Sequence, residues 1–225
     1  MEKSLSKKDL INIFIRSNFL LGSFNFERMQ AIGFCVSLLP ALRKVYKGDK
    51  PAMAAVMKRH LEFFNTQPFL ATPIMGITAA MEEKKANGAD ISDQTISGVK
   101  VGLMGPLAGV GDPIFWGTLR PVLAALGAGI ALTGSIMGPL IFFLVFNAIR
   151  LATNWYGVMY GYSKGTELVD EMGGNSRKVL PFSVFSSWVL SSPSGRPSTC
   201  RWCFQATRTA PASRSRRQYR RFSTA

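Results

Sequence analysis

Side chains that could do chemistry are few in this 225-residue sequence. His60 is the single histidine and so the only candidate for a phosphohistidine. It falls on the apolar stripe of a predicted helix over 51–64, without an obvious base beside it, which favours a packed or hydrogen-bonded histidine. Cys200 and Cys203 form a lone C-x-x-C, and without a second pair or a nearby histidine we expect no metal site. We expect no other cofactor.

Asp112 is the most informative charge, because residues 98–117 carry only one other charge and contain eight Gly or Pro. An ionisable residue at membrane depth usually faces a cavity, a partner or backbone donors. In one interpretation, which we favour, Asp112 pins a Gly-rich turn. In the other, it lines a substrate path or a subunit contact, and the candidate residues for that site are Gly105, Pro106, Gly111, Asp112, Pro113 and Trp116.

The elements around this stretch predict an all-α integral membrane protein. Residues 121–149 carry no formal charge, and a transmembrane helix needs about 20 residues, so we predict one span there. The block is long enough to cross with tilt, or to cross once and leave a turn. The density of Gly and Pro over 98–117 predicts irregular, re-entrant backbone buried in protein. Residues 68–81 are apolar but too short to span, which predicts a second re-entrant segment or a buried core helix. Together these form a predicted membrane-embedded region over 67–175.

Charged and aromatic residues flank the predicted membrane region. Residues 1–66 hold 11 of the 17 Lys and Arg found before residue 176, so we predict cytoplasmic or interfacial amphipathic helices. The first of these, over 7–21, has two open interpretations: a core helix, or a helix lying on the membrane surface. We expect the membrane–water interface at four residues near the predicted span: Arg120, Arg150, Trp155 and Tyr156.

The last fifty residues differ from the rest of the chain. Residues 176–225 contain ten Lys and Arg and no acid, which accounts for most of the net charge of +14. We predict a disordered basic tail. Such a tail would bind polyanions, either nucleic acid or anionic lipid, and it is also what an accidental reading frame often encodes.

Four stretches of the sequence point to one family. The string GVKVGLMGPLAGVGDPIFWGTLRP (98–121) closely resembles the enzyme IID component of the mannose/fructose/sorbose family of the bacterial phosphoenolpyruvate-dependent sugar phosphotransferase system. Three further stretches match the same family: RSNF…SFNFERMQAIGFC (16–35), RHLEFFNTQPF (59–69) and NWYGVMYGYSKG (154–165). The resemblance covers about residues 7–175.

The resemblance implies a membrane subunit rather than an enzyme. A IID subunit pairs with a IIC subunit in the bacterial inner membrane, here with a cytoplasmic N-terminus, as a hetero-oligomer in the lipid bilayer. The pair admits a hexose and presents it to the IIB subunit, which receives its phosphate from IIA. The resemblance therefore implies no catalytic residue, no phosphorylated residue and no nucleic-acid partner for this chain.

The sequence departs from the family after Asn175. Family members continue there with hydrophobic, membrane-embedded sequence, whereas this chain continues with the basic tail. We hypothesise a frameshift near residues 174–177. We expect the shortened chain not to restore sugar uptake in a strain that lacks IID, because the missing segment would leave apolar helix faces without partners. Two rival functions are an autonomous membrane channel or carrier, and a basic-tailed protein that binds nucleic acid or lipid.

Overall fold

A computed structural model of the chain describes residues 4–174. Regular structure in this range is helical, and the only strand-like pairs in it are isolated bridges of Met29 with Asn25 and Phe64. The all-α prediction is confirmed for this range. The helices are α1 Lys7–Ser17, α2 Ala31–Val45, α3 Lys50–His60, α4 Ala71–Ala86, α5 Asp93–Ile114, α6 Arg120–Ala131 and α7 Met137–Gly174.

Local sequence signals set where the first helices begin. The backbone N–H of Ser6 donates to Asp9 Oδ2 at 2.7 Å, one half of a capping box that starts α1. Asp49 accepts from the backbone N–H of Ala52 at 2.9 Å, and Pro51 occupies the first turn of α3. The predicted helices over 7–21 and 51–64 are therefore present, and each ends four residues earlier than predicted.

The helix α4 forms the centre of the fold and packs along α7. Three glycines spaced by four residues, Gly157, Gly161 and Gly165, place the backbone of α7 against α4. A Cβ atom on Gly161 would lie 2.8 Å from the carbonyl carbon of Pro73, and one on Gly165 would lie 2.8 Å from Cα of Ile77. Only glycine permits this separation, because any side chain would overlap the backbone of the facing helix.

The prediction of irregular backbone over 98–117 is wrong. The residues of this stretch belong to α5 and to a π-helical turn, Phe115–Leu119, that leads into α6. Gly98, Gly102 and Gly105 face open space, and the helix continues through Pro106 and Pro113, which interrupt its hydrogen bonds only locally. A helix satisfies its own backbone groups, which matters most where water is absent.

The uncharged block over 121–149, in which we predicted one span, contains a turn of the chain. The uncharged block is a hairpin of α6 and α7, joined by a turn in which Gly134 has φ +80°. A Cβ atom on Gly127 would lie 3.0 Å from the carbonyl oxygen of Gly138, so the two helices meet through glycines. Absence of charge marks apolar surroundings but does not reveal a reversal of the chain.

Residues 68–81 do not turn back on themselves as a re-entrant segment would. A short 3-10 turn, Pro68–Leu70, leads directly into α4, which continues to Ala86 and is buried over most of its length. This path agrees with the alternative of a buried core helix.

Two long helical segments are apolar enough to cross a membrane, by length and composition. They are Asp93–Ala131, with 39 residues, and Met137–Glu167, with 31. Only 11% of the most apolar window of each is buried, so their apolar side chains mostly face outward rather than fill a core. The division into regions 1–66 and 67–175 stays a prediction, and the tail over 176–225 lies outside the described residues.

Candidate functional site

The six residues predicted to line a substrate path or subunit contact do not form one pocket. Gly111 is buried, and a Cβ atom there would lie 2.7 Å from Cβ and Cγ of Gln67. Asp112 and Pro113, the next two residues, are exposed. Because α5 has no Gly-rich turn at this point, the interpretation in which Asp112 pins such a turn is wrong.

The outward side of α5 presents an open seam that we call the glycine face. Its members alternate in spacing between four and three residues, which places them on one side of a helix: Gly98, Gly102, Gly105, Gly109, Asp112 and Trp116. Each of these four glycines has nothing within 4 Å of a Cβ position. A second helix could therefore approach the backbone of α5 closely along this face. Gly105 belongs to it, whereas Pro106 is half-buried beside it.

Aromatic contacts fix the end of the glycine face. The ring of Trp116 lies 5.7 Å from the ring of Phe69, and the guanidinium of Arg120 lies 5.2 Å from the Trp116 ring. Trp116 is 39% exposed, so the indole retains an open side next to Asp112.

The predicted interface arginines do not bracket one span. Arg120 lies 11 residues before the end of α6, and Arg150 lies 13 residues after the start of α7. At 1.5 Å per residue they sit about 17 and 20 Å from the hairpin turn on antiparallel helices. They therefore lie at a similar level, on the same side of the uncharged hairpin.

Arg150 joins α7 to the N-terminal helix. Its Nη1 donates to Asn18 Oδ1 at 2.8 Å, and Asn154 Nδ2 donates to the same oxygen at 3.5 Å. One turn further, Trp155 meets the ring of Phe14 edge-on at 5.4 Å. Tyr156, beside it, is 71% exposed. Arg150 and Trp155 thus belong to the surface on which α1 docks, whereas Tyr156 faces outward.

A buried charge cluster, absent from the sequence predictions, joins three helices. We define the Glu82 cluster as Glu82 of α4, Arg59 and His60 of α3, and Tyr46 after α2. Arg59 Nη2 donates to Glu82 Oε1 at 2.8 Å and to Oε2 at 3.0 Å. Tyr46 Oη donates to Oε2 at 2.8 Å, and His60 Nε2 lies 2.9 Å from Oε1. The carboxylate of Glu82, 0% exposed, is therefore fully paired.

Further charges extend the cluster towards α5. Lys100, also fully buried, donates from Nζ to the carbonyl oxygen of Arg59 at 3.2 Å. Arg59 Nη1 and Lys85 Nζ both contact Asp93 Oδ1. The lone lysine in the low-charge stretch is thus a tether from α5 to the end of α3.

Burial and pairing act in opposite directions on the cluster. Burial by itself would raise the pKa of Glu82, but hydrogen bonds from His60 and Tyr46 and the charge of Arg59 outweigh it and lower that pKa. Burial lowers the pKa of His60, although the Glu82 carboxylate opposes this. Burial and the same carboxylate raise the pKa of Tyr46. We infer a neutral His60 that donates its Nε2–H to an ionised Glu82.

Sequence reasoning missed this cluster because it found no base beside His60. Arg59 is 6% exposed, and His60, next to it, has the partner that the sequence did not indicate. The available signal was the placement of Glu82 directly after a stretch of fourteen uncharged, mostly apolar residues over 68–81. A charge there must be paired if the helix is buried along its whole length.

Acid is expected to destabilise the fold through His60. The unfolded chain protonates this histidine near its ordinary pKa of 6.5, whereas the folded chain resists protonation, so stability falls as pH drops below about 6.5. Glu82 acts in the same direction at lower pH, because its lowered pKa gives stability that is lost on protonation. Thermal unfolding of the detergent-solubilised chain at several pH values should show this loss as a lower unfolding temperature. In His60→Gln the unfolding temperature should depend less steeply on pH above about pH 5. An unchanged slope in His60→Gln would contradict the assignment.

Within residues 4–174, no group of three or more His, Cys, Asp or Glu side chains is arranged to hold a metal ion. Cys35 is buried and free. The C-x-x-C pair lies in the tail, outside the described residues.

The fold and its outward apolar surface define a helical membrane protein. The chain matches the sequence model described as PTS system mannose/fructose/sorbose family IID component over residues 4–189. It is 63% identical over 173 residues to the PTS system mannose-specific EIID component of Escherichia coli (strain K12), covering 77% of this chain and 61% of that protein. It is 60% identical over 174 residues to the fructose permease IID component of Bacillus subtilis (strain 168), covering 77% and 63%.

A solved structure agrees with these sequence matches. The cryo-EM structure of the mannose transporter ManYZ in complex with microcin E492 contains a chain 63% identical to this one, with a TM-score of 0.76. The match covers 77% of this chain and 64% of that one. This chain belongs to the mannose/fructose/sorbose family of IID components. It spans about three-fifths of the length of the curated relatives it matches.

Proposed function

We propose that this chain acts as the IID membrane subunit of a mannose/fructose/sorbose-type phosphotransferase system. In this proposal it forms the path for hexose uptake together with a IIC subunit in the inner membrane, with its N-terminus in the cytoplasm. The IIA and IIB subunits phosphorylate the sugar on the cytoplasmic side. Membership of the IID family supports the role, and the similar chain in the ManYZ structure supports a membrane partner.

The glycine face of α5 is the observation that carries the proposal. A long apolar helix with four open glycines offers a close packing surface that no other described element covers. The exposed Asp112 at its end is costly in an apolar environment unless a partner or a polar cavity receives it. We therefore assign the glycine face to the contact with IIC, and Asp112 and Trp116 to the point where that contact meets the sugar path.

The role proposed for this chain in phosphoryl transfer is passive. His60 is fully buried and hydrogen-bonded to Glu82, so a phosphoryl donor would have to break the Glu82 cluster to reach it. This geometry supports a subunit that positions the sugar while IIB supplies the phosphate.

Co-purification with IIC tests the proposal. The tagged chain, co-expressed with a IIC subunit from a related system, should retain IIC through affinity purification in mild detergent. Gly105→Leu should reduce the retained IIC at least about tenfold, because a leucine on the glycine face holds the helices apart. The variant should itself fold, since Leu favours helix over Gly and position 105 has open space around it.

Gly129→Leu is the matched control, because Gly129 is also an open glycine on an exposed helix surface but lies on α6, outside the glycine face. It should retain IIC as the unmodified chain does. Equal retention by Gly105→Leu would refute the role of the glycine face, and no retention by the unmodified chain would refute the proposed function.

A further inference from the structure

A second apolar surface lies far along the sequence from the candidate spans. We call it the N-terminal apolar face, and its members are large, exposed side chains of α1 and the loop after it: Ile11 37%, Ile15 50%, Phe19 72%, Leu21 49%, Phe24 48% and Phe26 92%. Ile11, Ile15 and Phe19 follow helical spacing, while Leu10 and Ile13 on the other side of α1 are buried. One apolar side of α1 is therefore buried in the fold, and a second apolar side is exposed on the surface.

Hydrogen bonds close the loop that carries the most exposed of these side chains. Asn25 and Met29 exchange backbone hydrogen bonds of 3.3 and 2.8 Å, and Asn25 Oδ1 accepts from the backbone N–H of Arg28 at 2.8 Å. Phe24 and Phe26 pack edge-to-face at the tip, with centroids 6.4 Å apart. This turn leaves the Phe26 side chain exposed. Because exposed aromatic surface is unfavourable in water, we expect another molecule to cover it.

The docking of α1 on α7 sets the depth of this surface. Phe14 meets Trp155, which lies 18 residues after the start of α7, or about 27 Å from the hairpin turn. The hydrocarbon layer of a bilayer is about 30 Å thick. If α7 spans with its turn near one surface, as the proposed function requires, Trp155 and α1 lie at the opposite surface.

Charge on α1 fits the same location. Lys7, Lys8 and Arg16 are exposed, whereas the acidic Asp9 is already paired with Lys44 at 2.7 Å. Exposed cations beside an Ile- and Phe-rich face are typical of helices that lie in the interface of an anionic leaflet. A partner protein could also cover an apolar face. It would not, however, explain both the exposed cations and the position of α1 at the level of a bilayer surface.

We propose that the N-terminal apolar face is a peripheral membrane contact, inserted at the boundary of headgroups and acyl chains on the Trp155 side. Lys7, Lys8 and Arg16 contact anionic lipid phosphates there. The occupant is the lipid bilayer, so the helix anchors the N-terminal region to the leaflet next to α7. This inference rests on the proposed function only in that α7 crosses the membrane.

Lipid quenching of a site-specific fluorophore tests this placement. Cys200 and Cys203 are replaced by serine, buried Cys35 is kept, and single cysteines at Ile15 or Phe26 are labelled with an environment-sensitive dye. The whole chain, co-expressed with IIC, is reconstituted into vesicles of phosphatidylethanolamine and phosphatidylglycerol, some brominated near the headgroup end of the acyl chains. Both labels should emit at shorter wavelength and be quenched by the brominated lipid.

Three further positions make the outcome decisive. Lys47→Cys, in the polar turn after α2, should remain solvent-exposed and unquenched. Leu126→Cys and Phe143→Cys report on the spans and should be quenched by deeply brominated lipid. If these two are quenched while Ile15 and Phe26 behave like Lys47, this inference is overturned and the proposed function stands.

Two further results would test the lipid assignment and the proposed function. Labels at Ile15 and Phe26 that shift to shorter wavelength without quenching would mean that protein covers the face, either IIC or a second copy, which overturns the lipid assignment. If labels at Leu126 and Phe143 are not quenched either, these helices do not cross the membrane, and the proposed function is refuted.

Discussion

Gly161→Leu is expected to prevent α7 from packing on α4. A side chain at this position overlaps the backbone of Pro73, whose carbonyl carbon and Cα lie 2.8 and 2.9 Å from the Cβ site. Overpacking of a core usually costs about 1–3 kcal/mol, and we expect about 3 kcal/mol or more here because backbone atoms cannot move aside as a side chain does. Size-exclusion chromatography and thermal unfolding in detergent should show aggregation or a much lower unfolding temperature.

The control for this variant is the same substitution at an open glycine. Gly129→Leu adds an identical side chain to α6, where nothing lies within 4 Å of the Cβ position. We expect its unfolding temperature to stay close to that of the unmodified chain. Similar behaviour of the two variants would mean that the close crossing of α4 and α7 does not hold the fold together.

Glu82→Ala is expected to have the second large effect. It removes the acceptor shared by Arg59, His60 and Tyr46, and leaves the buried Arg59 guanidinium with the half-exposed Asp93 as its remaining ionic contact. Breaking a buried ion pair from one side costs about 3–5 kcal/mol. Thermal unfolding should reveal this loss, while Glu27→Ala, which removes a carboxylate that is 81% exposed in the loop after α1, should change the unfolding temperature little.

A double variant separates lost packing from unpaired charge. Arg59→Met with Glu82→Leu replaces the pair by apolar side chains of similar size, a change that is often neutral in other buried ion pairs. We expect the double variant to be more stable than Glu82→Ala. If it is equally unstable, the cluster contributes through its shape and its links to Tyr46 and Asp93 rather than through charge pairing.

The sequence predicted the all-α class, the family and the apolar character of 121–149 correctly, because each depends on local composition or motif. The prediction for 98–117 failed because the high glycine content was taken as evidence against a helix. Helix propensity counts Gly98, Gly102 and Gly105 as helix breakers, but propensity is measured in water, and an apolar environment favours any backbone that satisfies its own hydrogen bonds.

The structural role of the glycines in the family motifs became visible only in the fold. In NWYGVMYGYSKG the aromatic residues indicated a membrane interface, yet Gly157 and Gly161 between them make the crossing with α4. Spacing by four residues is visible in the sequence, but it does not reveal which helix occupies the groove. That partner, α4, lies about eighty residues earlier in the chain.

The sequence by itself determined that this chain is helical, membrane-associated and a IID family member, since hydropathy, glycine and proline content and motifs are properties of neighbouring residues. Only the tertiary structure decided that the uncharged block is a hairpin, that Arg120 and Arg150 lie at one level, and that Glu82 holds α3 to α4. These features depend on contacts between distant residues. A buried charge or an exposed glycine acquires its role only when the fold decides what lies within a few ångströms of it.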